Sequence, residues 1–211
     1  MQTDKATDRD EHIEPAKLTH KLAVLTAQIV ISPLLFVMRL ILVRNRLTIS
    51  PELRDMKTYD KQTTYIVYGN HQSALDPLVI CASFPMYALR YLMPFRFFVE
   101  NSFFKGPMKL FLNSMGGFPA HYHETRSYGL EKAKSLMATR QTIVIFPPGM
   151  RTRKKIAKPG ISILATEPTT YLLPIRIDWK HRWHCHVAIG SPIKGGISQT
   201  PEQLMEAVYA L

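Results

Sequence analysis

The stretch TTYIVYGNHQSALDPLVICASF, Thr63 to Phe84, decides the fold. Its first part, TTYIVYGN, is rich in β-branched and aromatic side chains and carries no charge, which reads as a buried strand ending at Gly69. Its second part, from Ser73, reads as the start of a helix: Ser73 can cap the N-terminus and Asp76 falls at the third helical position. Strand, short turn and helix in that order make the repeating unit of an α/β domain.

The unit recurs along the chain. Leu89 to Met93 is a second short strand candidate, and Phe95 to Met115 looks helical, with a break at Gly106-Pro107 and an end at Gly116-Gly117. Ser127 to Thr139 is a helix by the spacing of Leu130, Ala133, Leu136 and Met137, and Thr142 to Phe146 is a strand of buried type. YLLPIRI and HCHVAIG add two strands. Thr200, Pro201 and Gln203 open a terminal helix with a capping box. Residues 60–211 therefore read as one α/β domain, a mixed sheet flanked by helices.

Upstream, residues 1–20 form a polar head of mixed charge, and residues 21–46 form a membrane anchor. No charged residue occurs from Leu22 to Met38, and Arg39, Arg44 and Arg46 follow. Three forms suit this segment: a full span of about 20 apolar residues, a kinked or re-entrant anchor broken at Pro33, with the arginines on lipid phosphates, or a buried core helix. It does not read as a secretory signal, because the head is long and acidic and no small-residue cleavage site follows.

The chain has 211 residues, 46% of them hydrophobic, which excludes a disordered tail protein. Its 27 Lys and Arg against 16 Asp and Glu give a formal net charge of +11 and imply an anionic partner: nucleic acid, a membrane surface or a phosphorylated substrate. Cys81 and Cys185 lie far apart in apolar runs, so buried thiols in a reducing compartment are expected rather than a disulfide framework.

The chemistry concentrates at His71 and Asp76. Positions five apart on a helix point about 140° away from each other, so the two side chains meet only if His71 lies in the turn before the helix. A carboxylate on one ring nitrogen would fix the tautomer and leave the other nitrogen free to take a proton from a hydroxyl. Spacing alone leaves a second reading open, in which Ser73 and Asp76 merely cap the helix and His71 is a turn residue.

NHQSALD resembles the NHxxxxD motif of the glycerolipid acyltransferases, the family of the 1-acylglycerol-3-phosphate acyltransferases. GGFPA at Gly116 to Ala120, FPPGMR at Phe146 to Arg151 and LLPI at Leu172 to Ile175 follow in the family's order, so the resemblance covers about residues 60–190. It implies direct transfer of a fatty acyl group from acyl-CoA or acyl carrier protein to a lysophospholipid-like hydroxyl. His71 would be the general base, Asp76 would orient it, and no acyl-enzyme or cofactor is needed. The resemblance further assigns Asn70, Ser73, Gly117, Phe118, Tyr122, Gly149, Arg151, Arg153 and Lys158 to substrate binding. Backbone N–H groups from Gly149 onward would hold the oxyanion. The implied partners are the acyl donor, a lysolipid acceptor and membrane lipids, with the active site on the cytoplasmic face.

Two of the blocks depart from the family pattern. The third block usually reads FPEGTR, and here its glutamate is Pro148 and its threonine Met150. The arginine that usually ends the second block is Tyr122, preceded by His121. Acceptor phosphate recognition would then rest on Arg151, Arg153, Lys154, Lys155 and Lys158. Two alternatives keep the resemblance but change the function: the same chemistry on a lyso-aminolipid, or a lapsed enzyme that binds lipid.

Other patterns carry less. The basic run RTRKKIAK has no interleaved aromatic residue and no reading motif, so a phosphate-facing or solvated loop is expected rather than a nucleic-acid patch. His121 with His123, and His184 with His186, share strand faces but lack a patterned carboxylate or cysteine cluster, so no metal site is assigned. The phenylalanine-rich run from Phe95 to Leu112 reads as core packing or as an interfacial face that admits an acyl chain.

Overall fold

The computed structural model describes residues 18–43, 46–53, 63–121, 127–152, 157–181, 183–196 and 199–211. Most of the polar head, Tyr122, His123, Arg153, Lys154 and Lys155 lie outside the described residues. The described strands are β1 (Leu47–Ile49), β2 (Thr64–Gly69), β3 (Phe95–Val99), β4 (Gly117–Pro119), β5 (Thr142–Ile145), β6 (Thr170–His181), β7 (His184–Ile189) and β8 (Ile193–Lys194). They form one sheet in the order β1-β7-β6-β2-β5-β3-β4, with β8 beside β6. Pairing is parallel throughout except where β6 meets β7 and β8, so the sheet is mixed as the sequence implies.

The helices are α1 (Leu18–Leu42), α2 (Asp76–Ser83), α3 (Met86–Leu92), α4 (Gly106–Ser114), α5 (Tyr128–Ala138), α6 (Gly160–Ala165) and α7 (Pro201–Tyr209). β2 lies at the centre and all six of its residues are buried. Tyr65 and Val67 join one core, with Val79, Ile80 and Leu92. Ile66 and Tyr68 join the other, with Leu136, Leu164 and Leu204. A strand covered on both faces reads as an unbroken apolar run, which is why TTYIVYG was legible. Full burial of a large apolar side chain of this kind contributes roughly 1.5–3 kcal/mol. Gly69 lets β2 approach β6: a Cβ there would stand 2.4 Å from the Ile175 carbonyl oxygen.

Three expectations are corrected. Leu89 to Met93 is not a strand: MYALRYL, between Pro85 and Pro94, forms α3, and its Met, Ala, Leu and Arg favour helix. The strand lies in the next segment, where FRFFV forms β3 inside the stretch read as helical, and the helix there is only α4. An apolar aromatic run of five residues does not distinguish strand from helix by period. Finally, α2 begins at Asp76 with Leu75 at the cap, so Asp76 is the first helical residue rather than the third. β1, β4, α6 and β8 were not foreseen; each is six residues or fewer.

α1 is a single continuous helix, not a hairpin, and it is long and apolar enough for membrane association. Pro33 cannot donate to the Ile29 carbonyl, and the Ser32 hydroxyl donates to that oxygen instead at 2.8 Å. The helix is inverted relative to a surface helix of a soluble protein. Its outward side presents Leu22, Ile29, Val30, Leu34, Val37 and Ile41 to solvent, while Gln28 is buried against the domain. The Gln28 amide donates to the carbonyls of Phe95 and Met115 at 2.8 and 3.0 Å and accepts from the Phe95 N–H at 2.9 Å. Lys21 donates to the Thr139 carbonyl at 2.6 Å, and the Leu42 carbonyl accepts from the Cys185 thiol. Near its start, buried Arg96 donates to Gln141 at 2.6 Å and lies 3.0 Å from Nδ1 of His20. Burial lowers the Arg96 guanidinium to about 10.

Candidate active site

Parallel strands β2 and β5 deliver Gly69 and Ile145 to the same edge of the sheet, and the residues just beyond them build the site. Asn70 is buried and its amide continues the sheet pairing: Nδ2 donates to the Ile177 carbonyl at 2.7 Å, and Oδ1 accepts from the Ile177 N–H at 2.8 Å. This clamps the chain to β6 one residue before His71. On the other side, the Thr152 N–H donates to the His71 carbonyl at 2.8 Å, so the loop after β5 holds the turn as well.

His71 lies in that turn, and its side chain meets Asp76. Nδ1 of His71 is 2.8 Å from Oδ2 of Asp76, whose side chain is fully buried while the imidazole is 19% exposed. Oδ2 also accepts from the N–H groups of Gln72 and Ser73 at 2.7 and 2.8 Å. Oδ1 accepts from the indole N–H of Trp179 at 2.7 Å. A carboxylate ringed by donors is an acceptor for His71 too, which puts the ring proton on Nδ1 and leaves the Nε2 lone pair free. The opposite ring face is fixed by Phe146, stacked at 4.2 Å between centroids and 17° between planes.

Ser73 does not cap the helix; its hydroxyl accepts from the Leu75 N–H at 3.2 Å. The Asp76 carboxylate reaches back instead to two N–H groups of the turn ahead of the helix. One side chain thus both closes the turn and contacts the imidazole, and the reading in which Ser73 and Asp76 merely cap the helix is corrected, because no side chain caps α2.

The FPPG turn brings Gly149 and Lys158 together. Gly149 has φ +69°, and a Cβ there would stand 2.7 Å from the Lys158 ammonium nitrogen. The Lys158 N–H donates to the Pro147 carbonyl at 2.9 Å. The Gly149 N–H, expected to face an oxyanion, instead closes the turn onto the Phe146 carbonyl at 2.8 Å. Arg151 is exposed on the same loop. Gly117 sits in β4, and Phe118 is buried against Phe98 at 4.6 Å, packed in the core. Tyr122 and Arg153 fall outside the described residues. Trp179 was missed by sequence reasoning, because nothing in YLLPIRIDW marks its indole as a partner for a carboxylate 103 residues earlier. A cavity between α1, α2 and α3, walled by Leu35, Phe36, Cys81 and Met93, includes none of these site residues.

A model of the family described as Acyltransferase matches residues 50–178. The chain belongs to the acyltransferase family. A 1-acyl-sn-glycerol-3-phosphate acyltransferase from Borreliella burgdorferi is 28% identical over 123 residues, 56% of this chain and 46% of that protein. The match thus spans under half the length of that relative. The crystal structure of the 1-acyl-sn-glycerophosphate acyltransferase PlsC from Thermotoga maritima covers 89% of this acyltransferase and is itself covered to 74%, with a TM-score of 0.52 at 17% identity. That likeness shows the fold: a mostly parallel α/β sheet preceded by a long apolar helix.

Proposed function

We propose that this acyltransferase moves a fatty acyl group from a thioester, acyl-CoA or acyl carrier protein, to the free hydroxyl of a lysophospholipid. The observation that carries it is the His71–Asp76 contact at 2.8 Å, with the carboxylate fully buried. Nε2 of His71 takes the proton of the acceptor hydroxyl as its oxygen attacks the thioester carbonyl. The tetrahedral intermediate then collapses, the C–S bond breaks, and the thiolate leaves with a proton returned from His71. Asp76 stabilises the imidazolium formed in between. Asn70 and Ser73 align the turn rather than touch substrate, while Arg151 and Lys158 stand ready for an acceptor phosphate, as Arg and Lys suit phosphate oxygens. With the Gly149 N–H occupied, the following N–H groups of Met150 and Arg151 are the candidates for the oxyanion.

The membrane reading follows from α1. A helix crossing a bilayer leaves its domain, whereas this one is bonded to the domain at Lys21, Gln28 and Leu42. The apolar outward side therefore lies in one leaflet, parallel to the surface. Incubating the purified protein with labelled acyl-CoA or acyl carrier protein and a panel of lysolipids tests the function. Transfer that disappears in His71→Ala is expected. No transfer to any acceptor, lyso-aminolipids included, would leave a lipid-binding protein without this activity. Transfer that survives His71→Ala would overturn the mechanism alone.

A further inference from the structure

α4 is a second helix with its apolar side uncovered. None of its residues is buried; Met108, Leu110 and Phe111 are 49%, 74% and 49% exposed, and Phe103, in the 3-10 turn ahead of it, is 52% exposed. At about 100° per residue, Leu110, Pro107, Phe111, Met108 and Leu112 sweep about 200° of the helix surface, and Lys109 and Asn113 fill the remainder. A helix on a soluble protein turns such an arc onto a core. Here Leu112 is the one member of the three-residue run Leu110 to Leu112 that is even half-buried.

α4 packs directly against α1. The two uncovered apolar sides thus belong to neighbouring helices, and Lys105 and Lys109 stand exposed on the same segment. We propose that α4 and Phe103 form a second lipid-inserting element, which together with α1 seats the domain on one leaflet of an anionic bilayer, with Lys105 and Lys109 on its phosphates. Charge selects the bilayer over a second copy of the chain. With a formal net charge of +11, two copies meeting through this face bring like charges together, whereas an anionic surface attracts both lysines. Two separate contact elements also do what one helix cannot: a single helix leaves the domain free to roll about its axis, and a second contact beside it fixes which way the sheet edge faces. The proposal goes beyond acyl transfer and stands without it.

Flotation of the full chain with phosphatidylcholine vesicles, with and without phosphatidylglycerol, tests it. Leu110→Glu with Phe111→Glu is expected to lower the bound fraction about tenfold, because two apolar anchors are lost. Lys105→Gln with Lys109→Gln is expected to weaken binding only to the phosphatidylglycerol vesicles. Leu110→Trp guards against a folding defect: it should bind as the parent does and show indole quenching by brominated lipid beyond that of Trp179 and Trp183. Parental binding by the double glutamate variant, or no added quenching in Leu110→Trp, overturns the proposal. A lipid-free dimer that the glutamates dissociate also overturns it and assigns the face to a second copy.

Discussion

The indole N–H of Trp179 donates to Oδ1 of Asp76 at 2.7 Å. It ties the far end of β6 to the first residue of α2. Trp179→Phe keeps the ring and removes the donor, leaving a buried carboxylate oxygen unpaired at a cost of roughly 1–3 kcal/mol. Thermal unfolding should show that loss. In an acyl-transfer assay kcat should fall with KM nearly unchanged, because the substrate contacts stay in place.

Asp76→Asn tests the orientation of the imidazole. An amide offers one acceptor oxygen where the carboxylate serves four donors, so its NH2 must face either Trp179 or the turn N–H groups. With the wrong tautomer favoured, kcat should drop by roughly 10²–10⁴-fold. Trp179→Phe should then cost less in the Asp76→Asn background than alone, since removing one of two facing donors relieves a conflict. Additive losses in a double-mutant cycle would contradict this coupling.

Gly149→Ala meets two obstacles, a backbone at φ +69° and the Lys158 side chain over the site of the new methyl. The left-handed backbone alone costs roughly 1–2 kcal/mol. The variant should melt lower. If Lys158 holds the acceptor, its KM for the lysolipid should rise more than its kcat falls.

Alkaline stability should carry the signature of Cys185. Burial, and secondarily the charge of Asp76, push this thiol up from 9.0 to about 11. The unfolded thiol loses its proton first as pH rises, so the unfolded state binds fewer protons between those values and stability falls across the window. The contribution is complete below about 9 and gone above about 11. Denaturant titrations of Cys185→Ala should show a shallower decline than the parent over that range.

The sequence made the centre of the sheet and the turn that carries His71 legible for physical reasons that also mark its blind spots. TTYIVYG and TIVIF are uninterrupted apolar runs because both faces of their strands are covered, and NHQSALD announces a turn through its polar residues. FRFFV carries the charged Arg96 and runs on into further phenylalanines and the α4 segment, so its strand was hidden in a stretch that also suits a helix. The His71–Asp76 pair is local and could be argued from helix geometry. Its supports, Asn70 on Ile177 and Trp179 on Asp76, depend on which strands the fold makes neighbours. The FPPG turn was recognised, yet the bond that occupies the Gly149 N–H is a matter of turn closure that no motif records.

The three bonds from Gln28 to Phe95 and Met115 make α1 something other than a tether. A chain beginning after Leu42 would start β3 with an orphan N–H and leave two carbonyls unsatisfied where the glutamine had covered them. Such a truncation would not yield a water-soluble catalytic domain freed of its membrane tag. It should misfold or aggregate. Address and architecture are therefore inherited together: exchanging α1 for another targeting helix would require that helix to carry its own glutamine at the same depth.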